Sequence, residues 1–311
     1  MPTFIIHNDE YESGYLEGIQ ENLSITSQSG FGGIVYRTGL IDGDFQKETV
    51  FSGDITFNER NPSGTTARAT ERLELKENIG VKVSYNTNKQ KIPWNDLKRS
   101  NFDNMAYSNA LGVKVAQSEF KHCISLAIQA FIAATTKAGG GLLYTSGGAF
   151  DKKDLINILS PLQDNSSKVS GFLSSRALAF DILEEAVVKN RYGEGGVVYG
   201  AQAGTFNVPL MASALPALLN GTKSYIFALY DGAIEITADS NAPSVVIRDN
   251  DDTENHYQTW SLDGAFNIKL RNMPYIGAGG YVQGSMLSDV NNWDRTASIE
   301  NLGGSIGLIG A

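Results

Sequence analysis

The sequence predicts an α+β protein, because two different hydrophobic periods occupy separate parts of the chain. Residues 116–137 repeat their apolar positions with the period of a helix, whereas residues 45–85 alternate with the period of a strand. Residues 169–189 then have the pattern of a strand followed by a helix. A mixed class accounts for all three observations better than an all-α or an all-β protein does.

The dominant element is a long amphipathic helix. Its apolar stripe consists of Phe120, Ile124, Ala127, Ile128 and Phe131. Asp103 or Ser118 is expected to cap its start or an internal break, and the glycines at 139–141 are expected to end it. If the helix runs unbroken from Asn104, it is about 50 Å long at about 1.5 Å per residue. Gly112 is the expected weak point, because a glycine inside a helix costs about 1 kcal/mol relative to alanine.

Composition argues against several classes of protein. The chain has 311 residues, 41% of them hydrophobic, which is typical of a soluble protein with a substantial core. Its formal net charge of -9 argues against a basic surface that binds nucleic acid. Cys123 is the only cysteine, so we expect no intrachain disulfide and interpret this residue as a small core residue. No run of about 18 apolar residues predicts a membrane span.

The N-terminal region, residues 1–35, is interpreted as an arm. Residues 8–12 form a capped, acid-rich helix start, which suits the positive end of a helix. Residues 23–33 are rich in serine and glycine and poor in apolar residues. We therefore expect this region to lie on another surface rather than to form the nucleus of a core.

Residues 45–85 predict a long β-hairpin. Apolar residues occupy odd positions on both sides of a polar tip at 58–64. The tip and the return strand also carry many polar side chains between Thr65 and Arg72. An isolated two-stranded hairpin is at best marginally stable in water, so this one is expected to rest on a neighbouring subunit or element.

The remaining chain predicts alternating helices and strands. A capped helix is expected at 151–159, and a second helix is expected at 176–189. Strands are expected at 169–173, 205–212, Ser224–Tyr230, 234–236, 257–260 and 266–270. Asp263 and Gly264 are interpreted as a separator between the last two strands, and the glycine-rich stretch 277–307 contains what we expect to be a flexible tail.

No catalytic, cofactor or metal site is predicted. Residues 303–307 match G-x-S-x-G, but they lack the downstream acid and histidine that a hydrolase needs. The three histidines, His7, His122 and His256, have no partner at ligand spacing. The acid cluster at 249–254 lacks the glycine and distant glutamate of a calcium loop, so a solvated turn is favoured. No phosphate-binding G-x-x-x-x-G-K-[ST] motif occurs.

The order of these parts resembles the major capsid protein of tailed bacteriophages, the Hong Kong ninety-seven type. Local similarity lies in residues 205–213, in residues 223–237 with the run YIFALYDGAIEI, and in residues 264–270. The resemblance implies an N-terminal arm, an extended β-hairpin loop, a peripheral domain with a long spine helix, a mixed α/β axial domain, and a C-terminal return to the peripheral domain. The corresponding residues are 1–44, 45–90, 91–150, 151–275 and 276–311.

The same resemblance implies a structural, non-enzymatic function without cofactors. Such a protein assembles with itself through hexamers and pentamers into an icosahedral shell around a double-stranded DNA phage genome, without sequence-specific DNA binding and without a membrane. Scaffold, portal and decoration proteins are expected partners, with a separate scaffold protein favoured. The expected location is the virion, after synthesis in the host bacterial cytoplasm. No lysine lies between Glu59 and Leu75, so the lysine–asparagine crosslink of some members is not expected.

Intersubunit binding is assigned to residues 50–80 and to the arm. The candidate contact residues are Glu59, Arg60, Arg68, Glu71 and Arg72. Two alternatives stay open at this point. One is a cargo-enclosing, encapsulin-like nanocompartment of the same fold. The other is an acidic α/β enzyme with a scattered site, for instance around Asp231 and Glu235.

Overall fold

The computed structural model contains two β-sheets and one long helix. It describes residues 6–28, 32–41, 43–52, 73–93, 103–175, 210–213, 224–252, 255–280 and 282–310. The helices are α1 (Asn8–Gln28), α2 (Asn104–Ala138), α3 (Lys152–Leu159) and α4 (Gly284–Leu287). The strands are β1 (Ile34–Gly39), β2 (Phe45–Ser52), β3 (Glu74–Asn86), β4 (Gln90–Pro93), β5 (Leu143–Ser146), β6 (Val169–Ser175), β7 (Leu210–Ser213), β8 (Ser224–Tyr230), β9 (Ile234–Asp239), β10 (Ser244–Asp252), β11 (Asn255–Leu270) and β12 (Gly304–Ile309).

Helix α2 confirms the predicted long helix. It has 35 residues, and the Asp103 side chain caps it by accepting a hydrogen bond from the backbone nitrogen of Met105. Gly139, at a φ of 68°, ends it, as the glycine triplet predicts. Ser118 caps nothing, since its hydroxyl donates to the carbonyl oxygen of Lys114 within the helix. The helix is unbroken at Gly112.

The glycine in α2 permits a close helix crossing. A Cβ on Gly112 would overlap the carbonyl oxygen of Tyr11 and lie 2.6 Å from the backbone nitrogen of Tyr15, both in α1. From the other side, a Cβ on Gly14 would overlap the backbone of Asn109. The cost of a mid-helix glycine is therefore offset by backbone-to-backbone packing between α1 and α2.

Helix α1 corrects the expectation that residues 1–35 stay outside the core. Tyr11, Tyr15 and Ile19 are buried in the same core as α2. They recur every four residues, which places them on one face of α1. Exposed residues, including Leu16, separate them in the sequence. The helical part of the arm is thus a core element of its own chain.

The larger sheet has seven strands and packs against α2. Its order is β1-β9-β11-β3-β2, with β10 and β4 also paired to β11; among the strands that the structure describes in this sheet, β1 and β9 pair in parallel and the other pairs are antiparallel. Tyr36 of β1 meets Phe120 of α2 edge to face, with ring centroids 5.1 Å apart. Strands β2 and β3 confirm the predicted hairpin, in register from Phe45 opposite Val81 to Ser52 opposite Glu74. Residues 53–72, which include the expected tip, lie outside the described residues.

Strand β11 corrects two expectations. It is continuous through Asp263 and Gly264, so these residues do not separate two strands. Gly264 instead makes room for the ring of Tyr85, whose hydroxyl a Cβ at that position would overlap. Residues 249–252 of the acid cluster are the end of β10, paired with the start of β11, rather than a free turn. Residues 253 and 254 lie outside the described part of the chain.

The second sheet has five strands, in the order β5-β12-β8-β6-β7. Helix α3, which packs beside it, confirms the predicted capped helix, because Asp151 and Asp154 form a capping box. Strand β12 is buried inside this sheet, so the expected flexible tail is wrong. Gly304 has a φ of 142°, and a Cβ there would overlap the carbonyl oxygen of Ala228. Ser305 is buried and donates to the carbonyl oxygen of Ile158 at 2.6 Å, as a structural rather than a nucleophilic serine.

Some predictions lie beyond these observations. The expected helix at 176–189 and the first half of the expected strand at 205–212 fall outside the described residues. Both sheets join segments that are distant in sequence, and the division into five regions stays a prediction. Within the part of the chain that the structure describes, no helix is long and apolar enough to cross a membrane.

Candidate assembly surfaces

The end of the β2–β3 hairpin exposes an apolar pair. Phe51 and Leu75 lie directly opposite each other across the two strands and are 73% and 64% exposed. Leu73, of the same parity, is 42% exposed. Residues 74–77 are exposed throughout, whereas Asn78, Gly80, Val81 and Val83 farther along β3 are buried. The hairpin therefore extends past its own chain's core and carries apolar side chains with it.

Charged side chains flank this apolar pair. Lys47 of β2 and Glu77 of β3, which are diagonal neighbours across the two strands, form an ion pair of 3.2 Å, and both side chains are more than half exposed. Exposed pairs of this kind contribute little to stability, typically about 0.2–1 kcal/mol. The hairpin end can thus gain more free energy from covering Phe51 and Leu75 than from its charges.

The base of the hairpin is tied to the sheet by an ion-pair network. Lys269 of β11 binds Glu235 of β9 at 2.7 Å and Glu48 of β2 at 3.1 Å. Arg37 of β1 extends the network, at 3.0 Å from Glu235. Burial alone would lower the pKa of Lys269, but the hydrogen bonds and charges of Glu235 and Glu48 raise it above its ordinary value. Lys269 is therefore held as a cation between two carboxylates.

A glycine makes this network possible. Strand β3 lies between β11 and β2, so the Lys269 side chain must cross it to reach Glu48. At the crossing point β3 carries Gly80, where a Cβ would lie 2.9 Å from the Cβ of Lys269. Any larger residue would push the lysine away from its second partner. The hairpin base is thus fixed laterally across several strands.

An apolar groove runs along α2 beside the sheet. Its volume is about 670 Å³. The helix contributes Tyr107, Leu111 and Val115, and the strands contribute Tyr85, Trp260 and Leu262. Lys114 and His122 add polar groups to the same groove. The groove is a second concave, largely apolar surface on the outside of the chain.

A buried carboxyl group joins α1 to α2. Glu119 of α2 is 5% exposed, and the Tyr15 hydroxyl donates to its Oε2 at 2.5 Å. Burial raises the pKa of Glu119, the hydrogen bond from Tyr15 and the nearby Tyr85 hydroxyl act in the opposite direction, and the charge of Asp239 raises it further. Burial and the neighbouring carboxyl also raise the pKa of Tyr15, so its hydroxyl stays a donor. The contact fixes α1 in one orientation on α2.

The predicted contact residues have no described position. Glu59, Arg60, Arg68, Glu71 and Arg72 all fall within residues 53–72, outside the described residues. Their assignment to an intersubunit surface therefore stays a prediction.

The residues considered for catalysis do not form a reactive site. Glu235 is bound in two ion pairs, and Asp231 lies exposed in the turn between β8 and β9. Burial raises the pKa of the Cys123 thiol well above its ordinary value, so this residue is an unreactive core thiol. His122 packs its ring against those of Tyr85 and Phe266. Among the described residues, no group of His, Cys, Asp or Glu converges enough to hold a metal ion.

Sequence reasoning missed two features of these surfaces. The local sequence gives no indication that the Lys269 side chain crosses β3 at Gly80, because this crossing depends on the order of strands in the sheet. Glu119 could have been suspected, because its position in α2 is adjacent to the apolar Phe120 and one turn before Cys123. A charged residue bordering an apolar stripe needs a partner, and here Tyr15 of α1 provides it.

Comparisons with known proteins give one consistent result. The family model described as "Gp13-like: Major capsid protein 13-like" matches residues 3–306. A solved chain from Mycobacterium phage Bobi is 12% identical, with 90% of this chain and 89% of that chain covered and a TM-score of 0.52. A chain from Mycobacterium phage Adephagia is 11% identical, with coverages of 91% and 89% and a TM-score of 0.51. A chain from Microbacterium phage Oxtober96 is 10% identical, with 89% of each chain covered and a TM-score of 0.51. No curated protein sequence matches the chain.

Proposed function

The chain belongs to the Gp13-like family of major capsid proteins, and we propose that it assembles through hexamers and pentamers into an icosahedral shell around a double-stranded DNA phage genome. Membership of this family makes it a structural component of a phage capsid, located in the virion, where copies associate with one another. The arrangement into hexamers and pentamers and the enclosed genome are the proposed parts.

The observation that carries the proposal is the unsupported hairpin end. Phe51 and Leu75 are largely exposed in the isolated chain, although both are apolar and directly paired. Covering them on a second copy would contribute about 1–2 kcal/mol for each side chain, which is roughly two thirds of the value for full burial. A hairpin that contacts a different surface on the next copy makes a heterologous interface, and such an interface generates a ring when the rotation between copies closes.

The charged residues near the expected hairpin tip are proposed to select the partner surface. Arg60, Arg68 and Arg72 would face acidic groups of the neighbouring copy, and Glu59 and Glu71 would face basic ones. The variant Arg68→Glu tests this role, because it reverses one charge without changing the apolar pair. Assembly that is slower and more salt-sensitive is expected, whereas unchanged assembly kinetics would remove Arg68 from the interface.

The acidic composition suits enclosed DNA. With a formal net charge of -9, the chain lacks the excess of Lys and Arg that binds phosphate tightly. An inner wall of this kind would let the genome be packed and released. Scaffold, portal and decoration proteins are proposed as further partners, with synthesis in the cytoplasm of a bacterial host and no catalytic role.

Electron microscopy of the purified protein, expressed with and without the neighbouring genes of its source, tests the proposal. Closed shells of tens of nanometres, or sheets of hexamers and pentamers, are the expected result. Nuclease-protected DNA inside the shells would distinguish a genome container from a compartment for protein cargo. A uniform particle of one to four chains under all conditions would refute the assembly mechanism.

A further inference from the structure

A second, smaller cavity lies where α2 meets the end of β9, the turn that follows β9, and the middle of β11. Its volume is about 220 Å³, and three carboxyl groups line it, those of Glu119, Asp239 and Asp263. None of the described residues that line it is Lys, Arg or His. Three acidic groups therefore share one cavity without a counter-charge from the described lining.

Glu119, which lines this cavity, has one buried carboxyl oxygen without a hydrogen-bond partner. The residue is 5% exposed, and its Oε2 accepts from Tyr15, but its Oε1 has no hydrogen-bond partner. The nearby Tyr85 hydroxyl, which influences the pKa of Glu119, is likewise buried and has no hydrogen-bond partner. An unsatisfied buried polar atom costs about 1–3 kcal/mol. A ligand that donates a hydrogen bond to this oxygen would remove that cost.

The mouth of the cavity is accessible and acceptor-rich. Asp263, Asn241 and Ser244 line it and are exposed. Asp239 is held in place, because its Oδ1 accepts hydrogen bonds from the backbone and the side-chain amide of Asn241. A donor-rich ligand can therefore enter from solvent and find acceptors both at the mouth and at the buried end.

The spacing favours an organic cation over a metal ion. The described residues contain no group of His, Cys, Asp or Glu close enough together to hold one metal ion. A guanidinium carries five donors in a plane and an ammonium carries three, so either can bridge acceptors that are farther apart. The volume corresponds to about seven water molecules at about 30 Å³ each, enough for such a group and part of its alkyl chain.

We propose that this cavity binds a guanidinium or ammonium group, with Glu119 as its buried counter-charge and Asp239 and Asp263 as acceptors at the mouth. The group belongs either to a free diamine or polyamine or to an Arg or Lys side chain of a second copy of this chain. Binding to the isolated chain does not depend on shell assembly.

The neighbouring titratable groups make binding pH-dependent. Those that face Glu119 are Tyr11 and Tyr15 of α1, Tyr36 of β1, Tyr85 of β3, Cys123 of α2 and Asp239 of β9. Burial raises the pKa of each of these tyrosines and of Cys123, so they stay neutral while Glu119 titrates. Because burial also raises the pKa of Glu119, the cation is expected to bind more tightly as rising pH ionises this carboxyl.

Isothermal titration calorimetry of the full, unassembled chain with N-butylguanidine tests the proposal. N-butylurea, which has the same shape without the charge, is the matched control ligand, and ionic strength is held constant. The wild-type chain is expected to bind N-butylguanidine and not N-butylurea. Glu119→Gln should weaken binding at least about tenfold, equivalent to about 1.4 kcal/mol. Glu17→Gln, the same change at an exposed position of α1, should leave binding as it is.

Two results would overturn the proposal. One is that the wild-type chain binds neither ligand, which means that the cavity holds only water, or binds both equally, which means that the cavity does not select a positive charge. The other is that wild type and Glu119→Gln bind N-butylguanidine equally. Asp263→Asn, a change at an exposed position, keeps the test valid if Glu119→Gln does not fold, and it should weaken binding severalfold.

Assembled particles distinguish the two sources of the cation. If the unassembled chain binds N-butylguanidine but assembled particles do not, a basic side chain of a neighbouring copy occupies the cavity. If both bind it, the natural ligand is a free diamine or polyamine. Either pattern supports a cation site, and neither depends on the geometry of the shell.

Discussion

Removing the apolar pair at the hairpin end should weaken assembly without unfolding the chain. In the double variant Phe51→Ala/Leu75→Ala, two side chains that are 73% and 64% exposed lose most of their apolar surface. Because little of that surface is buried in the isolated chain, its free energy of unfolding should change by less than about 0.5 kcal/mol. On a neighbouring copy the same side chains would contribute about 2–3 kcal/mol together, after the cost of ordering them is subtracted.

This magnitude converts directly into an assembly threshold. A loss of about 2–3 kcal/mol per hairpin raises the concentration needed for assembly by about 30- to 150-fold. The assay follows light scattering against protein concentration, with electron microscopy of the products and the same partner proteins present throughout. Ile156→Ala is the matched control, since Ile156 is exposed on α3, away from the hairpin. Equal assembly thresholds for the double variant and wild type would refute the argument from exposed area.

Three further predictions concern the packing of α1 on α2. Gly112→Leu should destabilise the chain by about 1–3 kcal/mol through overpacking at the helix crossing. Ala110→Leu, at an exposed position of the same helix, should leave the stability of the chain unchanged. Urea denaturation of both variants measures the difference. Ionising the buried Glu119 costs free energy, so the free energy of unfolding of the wild-type chain should fall as pH rises from about 4.5 through the raised pKa of this group. The variant Glu119→Gln has no carboxyl group to ionise at this position, so its free energy of unfolding should depend less on pH. Urea titrations between about pH 4.5 and 8 measure both slopes. The thiol of Cys123 should react with a thiol reagent only when urea unfolds the chain, and rapid labelling of the native protein would contradict its burial.

The parts of the fold that follow local rules could be predicted from the sequence. The long helix has a stripe, a capping aspartate and a terminating glycine within its own residues, and all three occur as expected. Strand β12 could not be predicted, because its glycines have low strand propensity. It forms because β5 and β8 pair with it on either side through backbone hydrogen bonds. Gly304 and Gly307 also have no side chain, which would clash with Ala228 and Ile158 respectively.

The assembly surface could be predicted only in part. The alternation of apolar and polar residues indicates the hairpin, but it does not show where the hairpin stops packing against the rest of its own chain. Leu75 and Val81 have the same parity in β3, yet one is exposed and the other is fully buried. The difference arises because β11 pairs with β3 at Val81 and does not extend alongside Leu75. Exposure here is a property of sheet topology, and no local pattern in the sequence encodes it.

The hairpin is rigid at its base and unsupported at its end, and this combination suits a shell made of repeated contacts. The ion pairs of Lys269 across Gly80 fix the base, so less conformational entropy would be lost if the end binds a neighbouring copy as proposed. About 2–3 kcal/mol per hairpin is far too weak to hold two isolated copies together at micromolar concentration, which needs about 8 kcal/mol. In a closed ring every copy binds one neighbour with its own hairpin and is bound by the hairpin of another. Contacts that close the ring form within one assembly, where the effective concentration of the binding partner is high. In the proposed assembly, the same weak contact would therefore leave free chains apart and stabilise the completed shell.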